Sequence, residues 1–177
     1  MPLPRLAIRM PTWHSIGASP SLLRRFLNIW PPFRFAGIRV LEISEDFSGA
    51  TVELRLRPLT RNYVGTQFGG SLFSMTDPFW MLLTLRQLGD AYVVWDKAAE
   101  IEFLRPGRTD VSATFAIDPA VIDEIRAEAD SGAKVLRWME TDIVDRRGAV
   151  VARVRKQLYI RRKDASGTTD ASGTTTV

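Results

Sequence analysis

The sequence predicts an α+β domain in which an antiparallel sheet curls around one long buried helix, and three observations carry that prediction. From Gly70 to about Leu88 the chain is apolar on nearly every side (Leu72, Phe73, Met75, Phe79, Trp80, Leu82, Leu83, Leu85), the pattern of a helix enclosed by other elements. About six segments with strand-like alternation flank it, two before and four after, separated by turn residues. The chain has 177 residues, of which 45% are hydrophobic and 25% charged, enough for one sizeable core and a single globular domain.

The elements follow in order. Ser19 and Ser21 are N-cap candidates for SLLRRFLNIW, which places Leu22, Leu23, Phe26, Ile29 and Trp30 near one helical face; Pro31 and Pro32 end it. Its arginines oppose an apolar stripe, and packing against the body is preferred over membrane contact. IRVLEISEDF and TVELRLRP read as two strands turning at Ser48-Gly49, with Val52, Leu54 and Leu56 alternating with Glu53, Arg55 and Arg57. After the buried helix come YVVWDKAAEIEFLRP and DVSATFAID, then the short amphipathic helix PAVIDEIRAEADSG, with Pro119 in its first turn and Gly132 past its end. AKVLRWMETDIVD and AVVARVRKQLYIRR close the sheet as a hairpin turning at Arg146-Arg147-Gly148. Within the last strand Arg153, Arg155 and Arg161 share a face, which reads as a solvated edge strand protected by charge. The tail repeats ASGTT, has no large apolar side chain before Val177 and is expected to be disordered. The organisation is a basic segment over 1–37, the sheet-and-helix domain over 38–163 and a tail over 164–177.

Composition narrows the chemistry. There is no cysteine, so disulfides, thiolate metal sites and Cys nucleophiles are excluded, and the single histidine, His14, lies in a proline-bounded N-terminal segment. A Ser/His/Asp hydrolase, a His-dependent dehydratase and a multi-His metal site all become improbable, and neither a metal nor a redox cofactor is expected. No stretch reaches the roughly 18 to 20 apolar residues of a membrane span, and the start lacks a signal-peptide apolar region. A cytoplasmic location and no membrane contact are expected. The net charge is +4. Arg5, Arg9, Arg24, Arg25 and Arg34 stand in the first 37 residues without a carboxylate, so the body is nearly neutral and nucleic acid is not an expected partner.

The chemistry-bearing stretch is NYVGTQFGGSLFSMTDPFW, residues 62–80. Gly65, Gly69 and Gly70 allow tight turning and close ligand approach. The last two sit where the helix begins, where unpaired N–H groups and the helix dipole suit a developing oxyanion. Asp77 is the one carboxylate of the helix, and such a group is costly to bury unless hydrogen-bonded or used as a base. Pro78 lacks an N–H and clashes with the carbonyl of Ser74. Two readings therefore stand side by side: a bent helix carrying a functional Asp77, and a break with Asp77 capping a second helix.

Asn62, Phe68-Gly69-Gly70 and Asp77, with FLRPGR after a strand, resemble the hotdog-fold acyl-CoA thioesterases over about Ile38 to Lys163. The likeness is strongest to the phenylacetyl-CoA-thioesterase-like branch and to bacterial thioesterase domains of unknown function. The branch carries Asn, then His-Gly-Gly six residues on, then Asp nine residues after the His; this chain has Phe68 in place of the His. The resemblance implies a hotdog fold and hydrolysis of an acyl-CoA to free acid and CoA. It implies Asp77 as nucleophile or general base, the Gly69 N–H as oxyanion donor and Asn62 as a substrate-placing residue. It also implies a site shared between subunits of a homodimer or dimer of dimers, with coenzyme A entering only as part of the substrate. Phe68, Gly70, Phe73 and Trp80 are candidates for the acyl pocket, with Trp95 a further one, and Arg105, Arg108 and Arg61 for the phosphates. A binding protein of the same fold without turnover is the alternative.

Overall fold

In the computed structural model, which describes residue 17 and residues 19–163, two short helices lead into the sheet. They are α1 (Pro20–Ile29) and α2 (Pro31–Ala36), followed by the strands β1 (Ile38–Ile43) and β2 (Gly49–Leu54). The central helix comes in two pieces, α3 (Gly69–Ser74) and α4 (Phe79–Leu88), before β3 (Tyr92–Phe103) and β4 (Val111–Ala116). Then come α5 (Pro119–Asp130) and the long hairpin of β5 (Val135–Asp145) and β6 (Val150–Arg162). The His14 segment and the tail expected to be disordered lie outside the described residues.

All six strands join one antiparallel sheet in the order β1-β2-β4-β5-β6-β3. Period-two alternation decides which face turns inward: Val52 and Leu54 of β2 pair across from Ala113 and Val111 of β4, and all four are buried. Against that face lies the central helix, with Leu72, Met75, Phe79, Trp80 and Leu83 in the core. Phe115 stacks on Phe79 at 4.9 Å between ring centroids and meets Trp80 edge-on at 5.2 Å.

The helix expected over Gly70–Leu88 is present from Gly69, with an interruption at residues 75–78. Pro78 has no N–H to give to Ser74, so the Ser74 carbonyl accepts from Asp77 in a tighter turn, and α4 restarts with the Leu82 N–H bonding the Pro78 carbonyl. Bend and break are thus one feature. Asp77 lies in it without capping α4, whose N-cap residue is Pro78 and carries no side-chain cap.

One expectation is corrected. The basic strand β6 is not an edge; it lies between β5 and β3. Its outward arginines are met by cross-strand carboxylates: Arg153 bonds Asp142 through two nitrogens at 2.7 and 3.0 Å, and Arg155 bonds Glu100 at 3.2 Å. Basic-out, apolar-in alternation looks the same on an edge strand and on an inner strand with one wet face.

The edges are β1 and β3. At β1, α1 buries Leu23 and Leu27 and leaves Leu22 and Ile29 of the expected stripe exposed. Asn28 then reaches the strand itself: its amide donates to the Val40 carbonyl (2.9 Å) and its carbonyl accepts the Val40 N–H (2.8 Å), imitating a neighbouring strand. Asn28→Ala is expected to lower unfolding free energy by about 1–2 kcal/mol, because both Val40 groups lose their partner in a part-buried place; urea denaturation measures it. Among the described residues β3 has no such cover, and its 12-residue edge opposite β6 pairs with no strand.

Carboxylates fix two turns. Burial pushes Asp110 up, but the Leu56 N–H and the Arg146 guanidinium more than offset this and hold it below the usual 3.8. Asp145 is lowered by the Ala149 and Arg147 N–H groups of the β5–β6 turn, and Asp142 by Arg153. Folded-state values below the unfolded one mean stability that is present above the unfolded value and is lost as pH falls through the folded ones. The urea midpoint is therefore expected to hold from neutrality to about pH 5 and to drop below about pH 4.

Candidate active site

The loop before α3 is tied by one side chain. Asn62 donates to Thr66 Oγ1 (2.9 Å) and the Gln67 carbonyl (3.3 Å) and accepts the Thr66 N–H (2.9 Å), so its amide is spent on holding residues 62–67. Gln67, buried, carries the loop onward by donating to the Leu54 and Thr109 carbonyls. The chain then enters α3 at Gly69 beneath two aromatic rings. A Cβ on Gly69 would stand 3.0 Å from Phe103, and one on Gly70 2.5 Å from the ring of Phe68. Both glycines permit a close approach that a side chain would block.

Beside Gly69 opens a cleft of about 500 Å³ whose walls include Asn62, Gln67, Leu72, Phe103, Arg105 and Arg108. Four of the expected site residues, Asn62, Gly69, Arg105 and Arg108, are thus brought together within the one chain. Phe103 is the last residue of β3, so the cleft lies at the end of the open sheet edge. Among the described residues the N–H groups of Gly69 and Gly70, which open α3, donate to no backbone carbonyl, while those of Ser71 and Leu72 both donate to the Phe68 carbonyl.

Asp77 does not line this cleft. Eight residues beyond Gly69, it lies about 12 Å further along a helical path, too far for both to serve one carbonyl from the same chain. The side chain is 63% exposed, contrary to the burial its apolar neighbours imply, because the turn before Pro78 swings it outward. Its Oδ1 accepts from Lys156 Nζ at 2.5 Å and its main-chain carbonyl from the same nitrogen at 2.9 Å.

Lys156, on β6, is 1% exposed and also bonds Asp96 Oδ2 of β3 at 2.8 Å, with its ammonium 5.5 Å from the centre of the Phe73 ring. Burial pushes Asp96 above 3.8, Lys156 opposes that and the charge of Asp77 adds to it; Asp96 Oδ1 is buried with no hydrogen-bond partner among the described residues. Raised in the folded state, Asp96 in its ionised form costs stability near neutrality, and the cost lifts as pH falls through its folded value. Lys156 and Asp96 are the residues the motif reading missed. The signal was present: Ala152, Val154, Lys156, Leu158 and Ile160 recur every second residue, placing the lysine in an apolar row.

The remaining candidates divide. Phe73 is half-buried between core and ammonium, Trp80 belongs to the core against Phe115, and Trp95 stacks on Tyr159 at 4.2 Å, outside the cleft. Arg61, Arg105 and Arg108 are exposed, and Phe68 is 55% exposed. Among the described residues, no three His, Cys, Asp or Glu side chains converge to hold a metal ion, and no helix is long and apolar enough to cross a membrane.

The family described as Domain of unknown function (DUF4442) matches residues 20–160. No curated protein matches the chain. Among solved structures it is similar to PA5026 of Pseudomonas aeruginosa, a protein of unknown function described as a probable thioesterase. The TM-score is 0.72 at 21% identity, over 80% of this chain and 95% of that one. It is similar also to the thioesterase HI1161 of Haemophilus influenzae (0.61, 16%, over 81% and 91%). A third is the PaaI protein of the E. coli phenylacetic acid degradation operon (0.53, 19%, over 80% and 91%). At such identities the likeness speaks for the fold, a six-stranded antiparallel sheet on a central helix, shared with hotdog-fold thioesterases.

Proposed function

The chain belongs to the DUF4442 family, a domain of unknown function, and from that premise we propose that it is a homo-oligomeric hotdog hydrolase that cleaves an acyl-CoA thioester to free acid and coenzyme A. The observation that carries the reading is Asp77: a solvent-facing carboxylate at the interruption of the apolar central helix, with one oxygen anchored and Oδ2 making no hydrogen bond among the described residues. A carboxylate so placed takes a proton from water or attacks a carbonyl itself. The Gly69 N–H, at the start of α3, takes the oxyanion. Water adds to the carbonyl carbon, the C–S bond breaks, and the proton held by Asp77 goes to the departing thiolate.

The spacing of these two groups within one chain supports a site made by two copies. The open edge of β3, ending in Phe103 at the cleft, offers the place where a second copy adds its own strand. Asp77 of one protomer then meets the cleft of the other, where Arg105 and Arg108 face the phosphates of coenzyme A. Asn62 serves by shaping the loop.

Phe68 favours a second reading. Its ring, folded over Gly70, has no group to hydrogen-bond a substrate, which suits a protein that binds acyl-CoA without turning it over. Free-thiol release from short, medium, long and aryl acyl-CoAs decides. Turnover that Asp77→Asn removes is the expected result. A folded, oligomeric wild type that binds the panel and releases no thiol would replace hydrolysis with binding.

A further inference from the structure

Lys156 sits where an uncharged residue would be cheaper. Removing an ammonium from water carries a desolvation penalty that its partners must return, and apolar replacements of buried ion pairs are often neutral or stabilising. Its neighbours on the inward face of β6, Val154 and Leu158, are each 0% exposed, so the site could be filled by a side chain without charge. The reason for the charge lies in what it touches.

Two of its three hydrogen bonds go to Asp77, one to the carboxylate and one to the main-chain carbonyl. That carbonyl stands just outside α4, whose first ladder bond is accepted by Pro78. The ammonium therefore pins both the backbone and the side chain of Asp77 at the interruption in the helix. The third bond, to Asp96 Oδ2, brings a second negative charge from β3.

We propose that Lys156 is a positioning residue of the hydrolytic centre, holding Asp77 by Oδ1 so that Oδ2 faces the reacting water, with Asp96 as the counter-charge that keeps the ammonium in place while Asp77 carries the proton. This rests on the thioester-hydrolase reading of Asp77. Neither the lysine nor Asp96 touches the substrate; both act through the aim of one carboxylate.

The test compares wild type, Asp77→Asn, Lys156→Met and the double variant Lys156→Met/Asp96→Asn by acyl-CoA thiol release and thermal melting on the full chain. Lys156→Met alone leaves Asp96 without its countercharge and is at risk of misfolding; the double variant removes that charge as well. In the folded double variant kcat is expected to fall about 100-fold, as a misaimed group does, with KM within about threefold of wild type. The melting temperature is expected to be unchanged or higher, a split that a purely stabilising lysine would not produce. Arg161→Met, which removes a positive charge from the outer face of the same strand, should leave kcat as it is. A folded double variant with kcat within about threefold of wild type overturns the role of Lys156 while leaving the hydrolase reading intact. A wild type as silent as Asp77→Asn overturns the hydrolase reading, and this proposal with it.

Discussion

Asp77→Asn is expected to lower thiol release from the preferred acyl-CoA by at least about 100-fold, the size of effect that follows loss of a positioned base or nucleophile. The amide keeps the shape of the carboxylate and can still accept from Lys156 Nζ through Oδ1, so the helix interruption has no reason to move. What it loses is the capacity to take a proton or attack a carbonyl. Because the side chain is 63% exposed, no cavity opens, and the urea midpoint should stay close to wild type. On the proposed reading substrate binding belongs to the cleft and should persist, placing the loss in kcat rather than KM. Thiol release at unchanged kcat would remove Asp77 from the mechanism.

The largest expected effect on stability belongs to the opposite side of the helix. Phe115 is 1% exposed and lies between Phe79 and Trp80, so it ties β4 to the start of α4. Phe115→Ala is expected to lower unfolding free energy by about 3–5 kcal/mol, from lost burial plus a cavity that two rigid aromatic neighbours cannot close. Equilibrium urea unfolding measures it; a loss under about 1 kcal/mol would mean that the aromatic cluster repacks. Because α4 carries the restart after Asp77, activity should fall along with the fraction folded.

Much of this architecture is legible in the residues because its signals are local. Alternation such as Val111, Ala113 and Phe115 against Ser112 and Thr114 announces a half-buried strand whatever its neighbours, and the Arg146-Arg147-Gly148 turn stands where it is expected. The second short helix, α2, escaped because Pro31-Pro32 reads equally as the end of one helix and the first turn of the next. Strand order is a long-range property, which is why β6, with its basic face, passed for an edge. Of the candidate site, Gly69 and Asp77 are singled out by the motif that the resemblance supplies. The exposure of Asp77 does not, since it depends on which way the chain turns before Pro78. Lys156 was hidden by composition: among five other basic residues of RVRKQLYIRRK it looked like one more solvated charge, and only its parity along the strand sets it apart.

The amide of Asn28 on Val40 has a consequence for assembly. Among the described residues it covers the β1 edge of the sheet and leaves the β3 edge without a backbone partner. A copy that adds through β3 would bring its own covered β1 to the far side, and the joined sheet would present nothing further to add to. On the proposed pairing through β3, sheet extension would terminate at two, and α1 with its asparagine would separate a closed pair from an open-ended fibre.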